Sequence, residues 1–498
     1  HLKFRKPLIL RASEYLSMRE KEKTVSLVLL PTQPQLNPKA IVAVSLILPT
    51  FDDWNTLSSP NYDSNFMKYL LPYGTTWRPG DAMFGYINAI NSRLYPLINH
   101  IIIFLGHLAS TALVYKITGI AGMRPMARNM AMVFFYISPC VCGTIFSCDA
   151  LNQTYSHLWG ILAVYSYLVC EGKRKYLLWT LCVMLAALSK DNGIAWSIVP
   201  PIVAFAFGKE DKRSMARNIG IGILISVSYV LIRLSVPHTV IHNGSHIEQM
   251  LSFGSKIKGL ATWIGYTWIA ADYICLMHEP SRNILYFLLT ALMSTPFVAA
   301  CFLGKPKLLV SKSFLSLSVA MIVTASANLL ISMSIMNAYC SLGIAAIIIG
   351  YLVDGNPKRE NIFRKLFYLY IIAAIAVDAH HWYKSWKTSL PAKTIAEEII
   401  AKTGKKADNV YCILVHNEKN KFSSFCVPVD EAVGWGGAMV HYNGYKWPKI
   451  IKDTTLNSSD ATKDVIRNIA DRALRADYEC VWVIGENGNM VIRNTGQK

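Results

Sequence analysis

Long apolar stretches recur from about residue 24 to residue 380, and the Lys and Arg residues fall in short clusters between them. A helix needs roughly 20 residues to cross a bilayer core. A soluble core would not need so many long runs with its charges confined to the gaps. The chain therefore reads as a polytopic α-helical membrane protein, in keeping with 53% hydrophobic and 16% charged residues among 498. The formal net charge of +19 would suit a nucleic-acid protein if the cations formed one face interleaved with aromatics. Here they punctuate apolar runs, which is the positive-inside pattern, so no nucleic-acid partner is expected.

Charge sets the expected topology. Residues 1–23 carry Lys3, Arg5, Lys6, Arg11, Arg19, Lys21 and Lys23 and read as a basic cytoplasmic tail. Residues 24–385 form the transmembrane domain, with about 11 helices and outer loops at 51–97 and 236–282. Inner turns fall at Arg124 and Arg128, Lys173–Lys175, Lys209–Arg213, Lys305–Lys307 and Lys358–Arg359. The third span is expected over 129–147. The outer stretch 255–280, with Trp263, Tyr266 and Trp268, reads as an interfacial helix with an aromatic belt.

From residue 386 to 498 the composition turns polar. Helical periodicity over 393–404 and 460–476, with strand-like runs at 410–415, 480–484 and 490–492, predicts a small soluble α/β domain on the outer face. Most cysteines lie inside apolar runs, where a thiol behaves as a small hydrophobe. No paired CxxC spacing points to a structural metal, so no metal ligands are assigned. Cys412 and Cys480 are expected to be buried on strands.

The acids gather at one side of this map. Asp52, Asp53, Asp149, Asp191, Asp272 and Asp378 all fall at the outer ends of spans. Carboxylates at a bilayer surface are costly unless hydrated, paired or engaged in chemistry. The adjacent Asp52 and Asp53 are therefore the first candidates for function. The loop after them contains Tyr73-Gly74-Thr75-Thr76-Trp77-Arg78-Pro79, and the next span carries His100 and His107, seven residues apart on one helical face.

Taken in order, these features resemble the GT-C superfamily of membrane glycosyltransferases. They are Asp52-Asp53-Trp54 leaving the first span, Arg78-Pro79, the two histidines, Asp149 at the third span's exit, and Leu188-Ser189-Lys190-Asp191-Asn192-Gly193 after the fifth. The pattern is similar to bacterial polyprenyl-phosphate-sugar enzymes of the O-mannosyltransferase and aminoarabinose transferase kinds. Asn337-Ala338-Tyr339-Cys340-Ser341-Leu342-Gly343 is similar to their Arg-Tyr…Ser-Leu-Gly element, with Asn337 or Ala338 where relatives tend to carry Arg. The tetratricopeptide repeats of some relatives are absent.

The resemblance implies inverting transfer of a sugar from a polyprenyl-phosphate donor to a hydroxyl of a glycan, lipid or protein on the outer face. Such a transfer needs a base for the acceptor proton and cations for the departing phosphate. Asp53 or Asp52 is the expected base, the other orienting it. Arg78 is the leading phosphate ligand, because a guanidinium grips phosphate oxygens bidentately, and Lys190 is the second. Asp149, His100, His107 and Tyr339 are expected to contact substrate. Asp149 could also hold a divalent cation, Mg or Mn; some members use a metal and others do not. The expected location is a bacterial inner membrane with the C-terminal domain periplasmic. The alternative is an endoplasmic reticulum membrane, where Asn243-Gly244-Ser245 would be a glycosylation site. Rival activities are an O-antigen polymerase or ligase, and a lipid-linked sugar transporter or flippase.

Overall fold

The computed structural model describes residues 79–80, 83, 96–145, 150–235, 252–269, 283–302, 304–330, 333, 335–404, 408–415, 449–453, 455–457, 459–485 and 489–493. The chain divides into units His1–Leu46 and Ile47–Lys498, and every described residue belongs to the second. The basic tail and the first expected span lie outside the described residues.

Most of the second unit is helix: α1 (Pro96–Ile120), α2 (Pro125–Ile137), α3 (Leu151–Val169), α4 (Gly172–Ser189), α5 (Val199–Ala206), α6 (Lys212–Ser235), α7 (Phe253–Ile264), α8 (Asn283–Phe302), α9 (Lys312–Leu330), α10 (Ile335–Asp354) and α11 (Glu360–Thr403). Four stretches within them are long and apolar enough to cross a membrane: Asn99–Ile120, Lys212–Arg233, Lys312–Leu330 and Met336–Asp354. The helix α3 has a polar start, Asn152-Gln153-Thr154 followed by Ser156 and His157, which lowers its hydropathy. Those residues face inward: Gln153, Thr154, Ser156 and His157 are all buried.

Proline decides one boundary differently from the sequence reading. The span expected over 129–147 is broken, because α2 ends at Ile137 and a 3₁₀ turn, Pro139–Val141, precedes the one-turn helix Cys142–Ile145. Pro139 has no amide to donate and forces Ser138 out of the helical region, to φ −61° and ψ 129°.

The helices pack pairwise, α3 against α1 and α4, α10 against α2 and α9, and α8 against α11. Their shared core contains Phe134, Phe135, Trp179, Trp196, Tyr339 and Tyr370, all buried. Gly160 is required for this packing, because a Cβ there would lie 2.2 Å from the Trp196 ring.

The basic turns are tied to one another by ion pairs. Arg124 reaches Asp354 (3.2 Å) and Glu360 (2.5 Å), and Lys175 reaches Glu210 (2.6 Å). Tyr167 also donates to Glu210 (2.8 Å).

The aromatic belt expected over 255–280 is corrected. Trp263 and Tyr266, and Trp268 in the π-helical turn Gly265–Ile269, are buried in the bundle core. Trp263 Nε1 donates to Ser341 Oγ at 2.8 Å. An indole with a polar partner inside the protein has no need of the headgroup region. The exposed face of α7 instead carries Phe253, Ile257, Leu260 and Ile264, spaced four, three and four residues apart, as a helical stripe requires.

Residue 386, the expected domain boundary, falls inside the continuous 44-residue α11, which ends at Gly404 in the left-handed conformation (φ 67°). Beyond it a four-stranded sheet has the order β2-β1-β3-β4: β1 (Asn409–Leu414), β2 (Lys449–Asp453), β3 (Cys480–Ile484) and β4 (Met490–Arg493). The pairs β1–β2 and β1–β3 are parallel, and β3–β4 is antiparallel. The amphipathic helix α12 (Lys463–Arg475) lays Ile466, Ala470 and Ala473 on Ile413, Val481 and Val483. Trp482 points the opposite way, as strand alternation demands, and its Nε1 donates to Thr403 Oγ1 of α11 (3.0 Å). Cys412 and Cys480 are buried on β1 and β3.

Candidate functional site

Of the expected site residues, Asp52, Asp53, Arg78 and Asp149 lie outside the described residues. Lys190, His100, His107 and Tyr339 are described, as are Pro79, Gly80 and Met83 beyond Arg78. Gly80 packs so closely on α4 that a Cβ would lie 2.9 Å from the Leu188 carbonyl oxygen and 3.0 Å from Ser189 Cα. Met83 packs beside the buried pair Ile103 and Leu151. The residue two positions after Arg78 therefore touches the residue just before Lys190.

Lys190 follows the last residue of α4 in an extended conformation, φ −154° and ψ 133°. Its Nζ lies 3.4 Å from Met336 Sδ at the start of α10. A thioether is a weak acceptor, so the ammonium is placed without being neutralised by this contact. Asp191 points elsewhere: it accepts from Tyr229 OH (2.7 Å) and Arg233 Nε (3.1 Å) on α6. Tyr229 OH also lies 3.0 Å from the Ala187 carbonyl, so α6 holds both the end of α4 and the turn after it.

Asn192 turns inward. Its Nδ2 lies 3.1 Å from Cys340 Sγ, 3.3 Å from Gln153 Oε1 and 3.5 Å from Asn328 Oδ1. Gln153 Nε2 donates to the same sulfur at 2.8 Å, and Asn328 Nδ2 approaches it at 3.7 Å. Four helix ends supply this cluster: the start of α3, the turn after α4, the end of α9 and the start of α10. The sequence reading missed Gln153, Asn328 and Arg233. The polar run opening the otherwise apolar α3 was the available signal for Gln153.

The structure brings together two of the expected substrate contacts, His107 and Tyr339, with each other. Both are fully buried. In the neutral ring, His107 Nε2 donates to the Tyr136 carbonyl (3.1 Å), which leaves Nδ1 to accept the Tyr339 hydroxyl (2.9 Å). The imidazole also stacks on Phe135 (4.9 Å between centroids). His100 lies apart from this pair, its Nδ1 at 3.2 Å from the Ile145 carbonyl. Among the described residues no three His, Cys, Asp or Glu side chains converge on a point where a metal could bind.

No protein-family profile matches the sequence, and no curated protein does. Solved structures match the fold. ArnT from Cupriavidus metallidurans, in its apo state, aligns with a TM-score of 0.51 at 10% identity, over 96% of this chain and 94% of that one. This chain has the fold of ArnT. The Archaeoglobus fulgidus oligosaccharyltransferase in complex with Zn and sulfate aligns with a TM-score of 0.46 at 12% identity, over 88% of this chain. This chain spans 64% of the length of that protein. AglB from the same organism, with an inhibitory peptide and a dolichol-phosphate, gives 0.43 at 10% identity, over 88% of this chain and 66% of that one. ArnT and AglB are both GT-C glycosyltransferases. The resemblance read from the sequence motifs and the likeness in fold to ArnT therefore agree.

Proposed function

We propose that the protein is an inverting membrane glycosyltransferase. It moves a sugar from a polyprenyl-phosphate donor to a hydroxyl of a glycan, lipid or protein acceptor on the outer face of a bacterial inner membrane. In this reading about 11 helices within residues 24–385 span the bilayer, residues 1–23 are cytoplasmic, and residues 386–498 form a periplasmic domain that meets the acceptor.

The observation that supports it most is the contact of Gly80 with Leu188 and Ser189. It joins the loop of Arg78 to the turn of Lys190, so two cations from distant parts of the sequence serve one phosphate. The carboxylate beside Lys190 does not cancel them, because Asp191 is engaged by Arg233 and Tyr229. Stabilising charge on the leaving phosphate is the electrostatic work the transfer demands. Asp53, with Asp52 beside it, takes the acceptor proton. Asp149 meets sugar hydroxyls, and His100 borders the same outer end. His107 and Tyr339 act from behind, fixing the start of α10 on which Met336 and Cys340 sit. Magnesium or manganese enters this reading only through Asp52, Asp53 or Asp149.

The test is transfer of radiolabelled sugar from defined polyprenyl-phosphate donors by the purified full-length protein. Asp53→Asn and Arg78→Ala should each lower turnover by about 100-fold or more. An active preparation in which neither substitution matters would overturn this site.

A further inference from the structure

The turn between α8 and α9 meets the turn between α10 and α11, and each adjoins a stretch able to cross a membrane. Lys312–Leu330 begins at the first turn and Met336–Asp354 finishes at the second. A helix that crosses a bilayer puts its ends among the headgroups, so both turns lie at a membrane surface. Asn356, 5% exposed, latches them together. Its Oδ1 accepts from the Lys305 amide, 51 residues away in sequence, at 3.0 Å, while its Nδ2 donates to the Leu352 carbonyl at 2.7 Å. Ser311 Oγ lies 2.9 Å from Tyr351 OH, and a Cβ on Gly355 would lie 2.4 Å from Leu308 Cδ1. The backbone of both turns is thus fixed before any ligand arrives.

The charge on these turns is one-sided. Residues 304–312 hold three lysines and no acid. The second turn carries Asp354 and Glu360 beside Lys358 and Arg359, but both acids pair with Arg124, just before α2, at 3.2 and 2.5 Å. Lys305, Lys307 and Lys358 are exposed around the latch. Large apolar side chains stand exposed on the same segments: Phe302 at 83%, Val310 at 73%, and Ile362 in the first turn of α11. At a bilayer surface such residues enter the acyl region while lysines keep their charge among the headgroups. That combination fits a lipid and not a soluble polyanion, which has nothing to offer the apolar flanks.

We propose that Lys305, Lys307 and Lys358, held together by Asn356, form a binding site for the phosphate of an anionic phospholipid. The latch gathers cations from two distant turns onto one headgroup, and Phe302, Val310 and Ile362 meet its acyl chains. Basic sites between membrane helices recognise lipid phosphates in this way. The site needs only the membrane-spanning fold and is independent of which sugar, if any, the protein transfers.

Titration calorimetry of the full-length protein in neutral detergent tests the site with three probes. They are short-chain phosphatidylglycerol, phosphatidylcholine of the same chain length, and glycerol phosphate, the anion without acyl chains. Phosphatidylglycerol should bind about tenfold or more tighter than either other probe, by a margin that shrinks as salt rises. Lys305→Gln with Lys307→Gln should lower that affinity by about tenfold or more. Lys173→Gln with Arg174→Gln removes the same charge from the exposed first turn of α4 and should change it by less than about twofold, since screening confines each charge to its own surroundings. Asn356→Ala keeps every charge and should still weaken phosphatidylglycerol by about fivefold or more, because the turns lose their preorganisation. The lysine pairs, at exposed positions, carry the test if Asn356→Ala fails to fold. Equal binding of phosphatidylcholine would overturn the site, and so would an equal loss from both lysine pairs, which is the mark of diffuse charge. Glycerol phosphate binding as tightly as phosphatidylglycerol would make this a site for a soluble anion and sink the lipid proposal.

Discussion

Arg233, near the end of α6, holds Asp191, the residue next to Lys190, with Nε 3.1 Å from Oδ1 and Nη2 3.5 Å from Oδ2. The guanidinium side chain is only 12% exposed, so this is not a solvated surface pair of negligible worth. It fixes the turn that presents Lys190, and under the proposed function it draws the Asp191 charge away from the donor phosphate.

Removing that hold should show in binding of the donor before it shows in stability. Arg233→Gln frees Asp191 to swing toward Lys190, so the KM for the lipid-linked donor should rise by about tenfold or more, with a smaller fall in kcat. The fold should lose about 1–3 kcal/mol, the usual cost of one hydrogen-bonded charge partner. Arg233→Lys should recover part of the KM. Kinetics at several donor concentrations settle it, and an unchanged KM in Arg233→Gln would separate Asp191 from phosphate binding.

A side chain at residue 80 should part the Arg78 loop from α4. Gly80→Val places atoms against the Leu188 carbonyl, where even a Cβ would lie 2.9 Å away. Turnover should fall by about tenfold or more, as misplacement of a positioning element predicts, with thermal unfolding changed less. Turnover equal to wild type would remove the contact from the mechanism.

The His107–Tyr339 pair should behave as architecture. Tyr339→Phe leaves His107 Nδ1 without its donor in a fully buried place and should destabilise the protein by about 1–3 kcal/mol. His107→Ala also empties the space stacked on Phe135 and should cost more, about 2–5 kcal/mol by analogy with other large-to-small core changes. Unfolding midpoints in detergent check both. Unchanged midpoints with lost activity would point instead to direct contact with substrate.

Acid and alkali should each loosen the sheet around Tyr411 and Asp453. Partial burial alone would raise the Asp453 carboxyl, but hydrogen bonds from the Thr455 hydroxyl and amide and from Tyr411 outweigh it and hold it below the usual value. Its contribution is present above about pH 4 and is lost as the pH falls through the lowered value. Partial burial, then the bond to Asp453, pushes the Tyr411 phenol up to about 12. Its contribution is present below about pH 10 and is lost as the pH rises toward that value. A fluorotryptophan resonance assigned to Trp482, buried in β3, should hold between these limits and shift outside them. Asp453→Asn should abolish the acid arm.

The sequence by itself determined the helical class of the chain. Apolar runs of bilayer length and clustered Lys and Arg reflect solvent, and solvent acts on each segment separately. The clasps of Arg124 with Asp354 and Glu360 fall on turns that charge alone had assigned to one side. The strands at 410–415, 480–484 and 490–492 were legible because β-branched runs between turn residues declare themselves locally; β2 was not, since Lys449–Asp453 is short and half charged. Only the tertiary structure decided how distant residues meet. Trp263 looked like a headgroup anchor until Ser341 supplied its hydrogen bond, and only the packed bundle shows Tyr339 and the Tyr136 carbonyl engaging both nitrogens of His107. Gln153, Asn192, Asn328 and Cys340 are separated by as many as 187 residues, and nothing in their local sequence carries that distance. Their meeting is set by which helix ends pack together, a property of the whole bundle and of no single segment.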